Sequence, residues 1–217
     1  MDDLRTVTGL KAQKKNPERI NVYLDGEYAF SLARIVAAWL HIGQALTAEK
    51  INQLREQDTL EKAYQAALRL INFRPRAEAE IEKGLLSRGY SGEDCARVIN
   101  RLKQAGLLGD HQFAHQWVEN RAELHPRSRK LVAVELRQKG VAEEAIEQAL
   151  QDLPDESTLA YEAAKRAARK LYHLDRESFR KRLVGYLARK GFSYDVVSET
   201  VRQVWNERLE ESGSSLE

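Results

Sequence analysis

The chain has 217 residues, 42% apolar and 31% charged, with 12 glycines and 4 prolines, a balance that supplies a packed core and excludes disordered and fibrous classes. Its single cysteine, Cys95, excludes an internal disulfide framework and zinc sites built on paired cysteines. A net charge of +2 argues against a protein whose main work is to hold duplex DNA nonspecifically.

The first residues, Met1-Asp2-Asp3-Leu4-Arg5, lack the positive start and apolar run of a secretory signal. The longest uncharged stretch, Ile35 to Ala48, spans 14 residues, short of the roughly 18 that cross a bilayer. A cytoplasmic location without membrane contact is expected. Arg19–Leu24 and Glu27–Leu32 are rich in β-branched and aromatic residues and flank Asp25-Gly26, a dipeptide suited to a type I′ hairpin turn. Thr6–Ala12 offers a further strand, since a lone hairpin is marginal in water. A small three-stranded antiparallel sheet is predicted within residues 1–46.

From Thr47 onward the spacing is helical. Asp58-Thr59-Leu60-Glu61 and Ser91-Gly92-Glu93-Asp94 read as capping boxes, and Pro75 and Pro126 suit the first turn of a helix. Gly89, Gly140 and Gly191 each follow a base and lie 51 residues apart. The same offset relates Leu85, Leu136 and Leu187, then Ile81, Val132 and Leu183, then Cys95, Ile146 and Val197, and it also links Pro75 with Pro126. Such coincidence marks an internal repeat. Each copy reads as helix, turn, helix, base-Gly turn, helix, where glycine permits the left-handed conformation that ends the second helix.

The fold class is therefore mainly α: a tandem array of three three-helix modules behind a small N-terminal antiparallel β-sheet. Expected boundaries are 1–46 for the sheet, 47–109 for a linker helix and the first repeat, 110–157 for the second and 158–208 for the third. Residues 209–217 read as a tail, and Gly213–Glu217 is expected to add nothing to the fold. Modules of about 50 residues bury too little alone, so neighbouring copies are expected to stack.

Few residues carry a catalytic pattern. His111 and His115 have a spacing that brings two imidazoles to one metal, but no third ligand is evident, and Asp110 reads as a helix cap. Cys95 occupies a repeat position held by Ile146 and Val197 and reads as a core residue. Asp94, Asp155 and Asp175 fall at helix starts. Trp39, Trp117 and Trp205 lie in apolar helical runs and read as packing residues. No phosphate-binding glycine loop is present, so neither an enzymatic activity nor a cofactor is expected.

Basic clusters are the remaining signal. Residues 159–208 carry 12 basic and 6 acidic side chains, so polyanion contacts are expected to concentrate there. The partner-binding candidates are Arg76, Arg127, Lys130, Arg169, Lys170, Arg180, Arg182, Arg189 and Lys190. Two readings of these clusters stand: a groove of an acidic protein, or phosphates contacted directly by helix-turn-helix-like modules.

The residues also resemble a known family. Gly109–Ala114 followed by Glu135-Leu136-Arg137-Gln138-Lys139-Gly140-Val141 resembles the central signature of the RecX regulatory proteins. Arg74–Ile81 is similar to that family's first motif, with Ala77 where Ser is usual, and Arg180–Leu183 with Tyr186–Phe192 resembles its C-terminal motif. Gly109 stands where an Asp is common. The hairpin Val22–Phe30 is similar to the extension of longer members. The resemblance implies a cytoplasmic bacterial modulator that binds the RecA recombinase filament, lies in its groove, and dampens strand exchange, ATP hydrolysis and coprotease action; a monomer is expected.

Overall fold

The computed structural model describes residues 4–213; of the expected tail, residues 209–213 instead continue the last helix, and Ser214 onward lies outside the described residues. The described chain forms two compact units, one of residues up to 76 and 81–107, the other of Ala77–Glu80 and the residues from 108 on.

In the first unit, β1 (Arg5–Ala12), β2 (Arg19–Leu24), β3 (Glu27–Ala33) and β4 (Ala45–Leu46) form an antiparallel sheet in the order β3-β2-β1-β4. The hairpin is as predicted, with Asp25 at φ 51° and Gly26 at φ 93°. Val22 pairs with Phe30, and Ile20 with Leu32. The fourth strand was not expected: Ala45 and Leu46 pair with Thr6 and Arg5, and two residues are too few for a strand pattern to appear in sequence. Between β3 and β4 lies the short helix α1 (Arg34–Ala37). Val7, Val22, Leu24, Phe30, Leu32 and Leu46 form one core with Ile51 and Leu54. The last two belong to α2 (Ala48–Phe73), which Thr47 caps through its side chain.

The capping-box reading of Asp58–Glu61 is overturned, because α2 runs unbroken through it for 26 residues. Asp58 is instead buried at mid-helix, where Arg19 (2.6 Å), Lys62 (2.8 Å) and the amide of Ala33 (2.6 Å) reach its carboxylate. The pattern Asp-x-x-Glu is equally compatible with a helix interior, and a tertiary contact decided between them. Burial alone would raise the Asp58 pKa, but these hydrogen bonds outweigh it and hold the carboxyl below its ordinary value.

Helices α3 (Glu78–Leu86) and α4 (Gly92–Gln104) complete the first three-helix set. Ser91 caps α4, its hydroxyl accepting from the Asp94 amide. Cys95, Val98 and Leu102, spaced i, i+3 and i+7, form the buried stripe of α4, while Ile99 is half-buried. The second unit carries α5 (Asp110–Glu123), α6 (Arg129–Gln138) and α7 (Glu143–Leu150), then α8 (Glu156–Ala168), α9 (Arg176–Arg189) and α10 (Tyr194–Gly213). Three three-helix domains therefore follow the sheet in tandem.

Gly89, Gly140 and Gly191 have φ of 86°, 80° and 86°. The amides of Tyr90, Val141 and Phe192 bond back to Leu85, Leu136 and Leu187, so each repeat glycine closes its second helix in the same way. Pro75 and Pro126 do not sit in first turns. They lie three residues before α3 and α6, where proline holds the preceding residue extended and so ends a helix. Trp39 is 88% exposed, against the packing role expected of it. It lies just beyond the four-residue α1, in a segment too short to fold back over the ring.

Candidate functional site

The basic residues of the third helical domain separate into two faces. Asp155 starts α8 by accepting from the Thr158 amide, which leaves Arg166 in the last turn and Lys170 one turn beyond. Asp175 starts α9 by accepting from the Glu177 and Ser178 amides, which sets Lys181, Arg182, Gly185 and Arg189 along one side. These residues and Tyr186 line a cleft of about 580 Å³ between α8 and α9, with five cations and no carboxylate. Arg166 is tethered, donating to the Leu124 carbonyl at 3.0 Å. At Gly185 an added β-carbon would meet only the Arg189 guanidinium, at 3.5 Å, so the cleft floor has room. Arg166 also lies 4.0 Å from the Glu162 carboxylate one turn back on α8; the cations at this spacing attract phosphate or carboxylate over roughly 8 Å at physiological salt.

Of the nine predicted contact residues, the cleft gathers Lys170, Arg182 and Arg189. It adds Arg166 and Lys181, whose signal in the sequence was only that each adjoins another base. Arg180 lies away from the cleft, lining a groove between α9 and α10. Lys130 and Arg169 are exposed and line neither.

The other three commit their charge inside the chain. The Arg76 Nε donates to the Leu70 carbonyl at 3.0 Å, near the end of α2. Arg127 pairs with Glu135, which also accepts from Arg121 at 2.7 Å and from the Trp117 indole at 2.9 Å. Lys190 stands nearby: burial lowers its pKa first, and the Arg127 and Arg121 guanidinium groups lower it further. One largely buried carboxylate thus pairs with two guanidinium groups of the second helical domain, and Lys190 of the third stands beside those two cations. Burial likewise lowers the Arg127 pKa, with Arg121 adding to it, and the Arg127 Nε is buried without a partner.

The remaining candidates resolve as packing and capping groups. Asp110 does not cap its own helix; its carboxylate accepts from the amide of Glu78 at 2.9 Å. His115 Nδ1 lies 2.7 Å from Asp152. Among the described residues no group of three or more His, Cys, Asp or Glu could hold a metal ion. Cys95 is fully buried, and burial raises its thiol pKa. Trp205 packs on Phe179 with ring centroids 5.1 Å apart. No described helix is long and apolar enough to cross a membrane.

Comparison with known proteins gives this arrangement relatives along most of its length. Residues 5–47 match the model of the regulatory protein RecX N-terminal domain. Residues 63–102, 110–150 and 155–201 match those of the first, second and third RecX three-helix domains. The regulatory protein RecX of Bacillus subtilis (strain 168) is 30% identical over 210 residues, covering 95% of this chain and 80% of the relative. That of Oceanobacillus iheyensis is 31% identical over 211 residues, with 93% and 77% covered. That of Mycolicibacterium smegmatis is 40% identical over 148 residues, covering 64% and 79%. A crystal structure of regulatory protein RecX superposes with a TM-score of 0.71 at 28% identity, over 92% of this chain and 99% of that one.

Proposed function

Because the chain belongs to the RecX family of regulatory proteins, we propose that it binds the RecA nucleoprotein filament in the bacterial cytoplasm and inhibits strand exchange, ATP hydrolysis and coprotease action. The observation that carries the reading is the α8/α9 cleft, whose lining holds five cations and no carboxylate, with Arg166 alone among them reached by Glu162 from outside it. Tandem modules offer several weak contacts at once, and a polymer that repeats its subunits rewards them with avidity. The contacts assigned are Lys170, Arg182 and Arg189 with Arg166 and Lys181, and the exposed Lys130 and Arg169 extend them. No catalytic step is required, since a regulator of a polymer acts by changing which of its states is populated.

Co-sedimentation of the chain with RecA assembled on single-stranded DNA, run beside an ATPase assay, tests the reading. Binding with a fall in ATP turnover is expected; no binding at micromolar concentrations overturns it. A second reading, direct DNA binding, rests on the same absence of carboxylates from the cleft. It is favoured if single-stranded DNA affinity without recombinase is strong and falls steeply with salt.

A further inference from the structure

The repeat supplies an internal precedent for docking. The amide of Glu78, first residue of α3, donates to the carboxylate of Asp110, first residue of α5, at 2.9 Å. One repeat later, the amide of Arg129, first residue of α6, donates to the carboxylate of Glu156, first residue of α8, at 2.9 Å. In both places an acid-led helix start is seated on the beginning of a domain's second helix. The Arg129 guanidinium supports the second seat by donating to the carbonyls of Leu150 and Leu153.

Arg180 is the next position in this series. In the second domain the chain breaks at Leu153-Pro154 to deliver α8, whereas α10 runs straight on from Tyr194 to Gly213. Nothing in the described chain is delivered to Arg180. A groove of about 730 Å³ stays open between α9 and α10, with Phe179, Val201 and Trp205 as its apolar part. The seat differs from its precedents in one respect. α9 begins at Arg176, so its first amides are taken by Asp175, and three guanidinium groups, Arg176, Arg180 and Arg202, stand in the groove instead. Glu177, Asp195 and Glu199 line it too.

We propose that the α9/α10 groove is a docking site for the acid-led first turn of a helix in a partner protein. The arginines receive the acidic residue, the carboxylates face the unpaired amides that every helix start exposes, and the Trp205 ring covers the turn's apolar side. A lining with as many carboxylates as cations offers a nucleic acid backbone little long-range attraction, in contrast to the α8/α9 cleft. Mixed charge over an aromatic floor is instead the chemistry of a protein interface. The inference rests on the proposed function in taking the recombinase subunits as the partner.

The test uses the full chain with two variants, Arg180→Glu/Arg202→Glu and Ser198→Glu. The second adds a charge to the groove at an exposed position and guards against misfolding of the first, with thermal unfolding monitored for both. Affinity for RecA filaments on single-stranded DNA is expected to fall at least tenfold, while affinity for the same DNA without recombinase stays unchanged. Wild-type binding that both folded variants retain overturns the docking site and leaves the proposed function standing. A parallel loss of affinity for DNA alone assigns the groove to nucleic acid and overturns it. Loss of wild-type self-association in sedimentation velocity assigns it to a second copy and also overturns it. A wild-type chain that fails to bind the filament removes the proposed function, and this inference with it.

Discussion

Gly191 lies so close to Ser128 that a β-carbon added to it would stand 2.5 Å from the serine hydroxyl oxygen, while the Ser128 amide donates to the carbonyl of Lys190 at 3.0 Å. The repeat glycine therefore has two duties. It ends α9 with a positive φ, and it lets the turn of the third domain touch the start of α6 in the second. Gly140 has the same relationship to Ala79, at 2.5 Å, whereas a β-carbon at Gly89 would meet nothing within 4 Å.

The three glycines should accordingly differ on substitution. Gly89→Ala is expected to cost about 1 kcal/mol, the strain of a left-handed conformation with a side chain. Gly140→Ala and Gly191→Ala carry the same strain plus an overlap that packed neighbours must relieve, which adds about 1–3 kcal/mol. Urea unfolding of the three variants, compared at constant slope, checks the order.

Glu135 pairs with both Arg121 and Arg127, and Lys190 stands near those two guanidinium groups. Replacing it by Gln leaves half-buried cations without their counter-charge, and a loss of about 3 kcal/mol is expected. Lys190→Gln should be neutral or stabilising, because it relieves a cation that its surroundings already disfavour. Thermal unfolding at pH 7 distinguishes the two outcomes.

Asp58 ties the sheet to α2, and its carboxyl is held below its ordinary pKa. A depressed folded-state pKa means that the ionised carboxylate stabilises the fold above the unfolded value of ~3.9 and that this contribution disappears as pH falls through the folded value. Asp58→Asn is thus expected to destabilise the protein at neutral pH, with the gap to wild type closing below about pH 4. Unfolding free energies measured across pH 2–7 should converge at the acid end if Asp58 acts this way.

Asp110 and Glu156 cap helices other than their own. Alanine at either position is expected to cost about 1 kcal/mol, with the loss appearing as a lower melting temperature. Retained stability in both variants would mean that neighbouring groups or water replace the caps.

The α8/α9 cleft gives the functional prediction. Reversing Lys170, Arg182 and Arg189 together to Glu should weaken filament binding at least tenfold, about 1.4 kcal/mol or more, and relieve inhibition of ATP hydrolysis. The folded state should be little affected, because all three are exposed. Undiminished inhibition by a folded triple variant would remove the cleft from the function.

The order of sheet and helical modules and the repeat were written in the sequence because each rests on local rules, whereas the separate linker helix expected after residue 47 is instead part of the unbroken α2. The hairpin needed only Asp25-Gly26, and the helix ends needed only a glycine 51 residues from its counterpart. What the sequence left undecided depends on neighbours remote along the chain. Asp58 looks like a cap until Arg19 and Ala33 arrive beside it, and Asp110 looks like the cap of α5 until the Glu78 amide claims it. Arg127 and Lys190 read as exposed contacts until Glu135 and burial are seen. The division of one basic run, Arg180-Lys181-Arg182, between two faces of α9 follows from helical geometry, but only packing against α8 and α10 gives those faces different lining and hence different chemistry. Periodicity determines which elements form; which charge is neutralised, and which is left for a partner, is settled by the elements that pack around it.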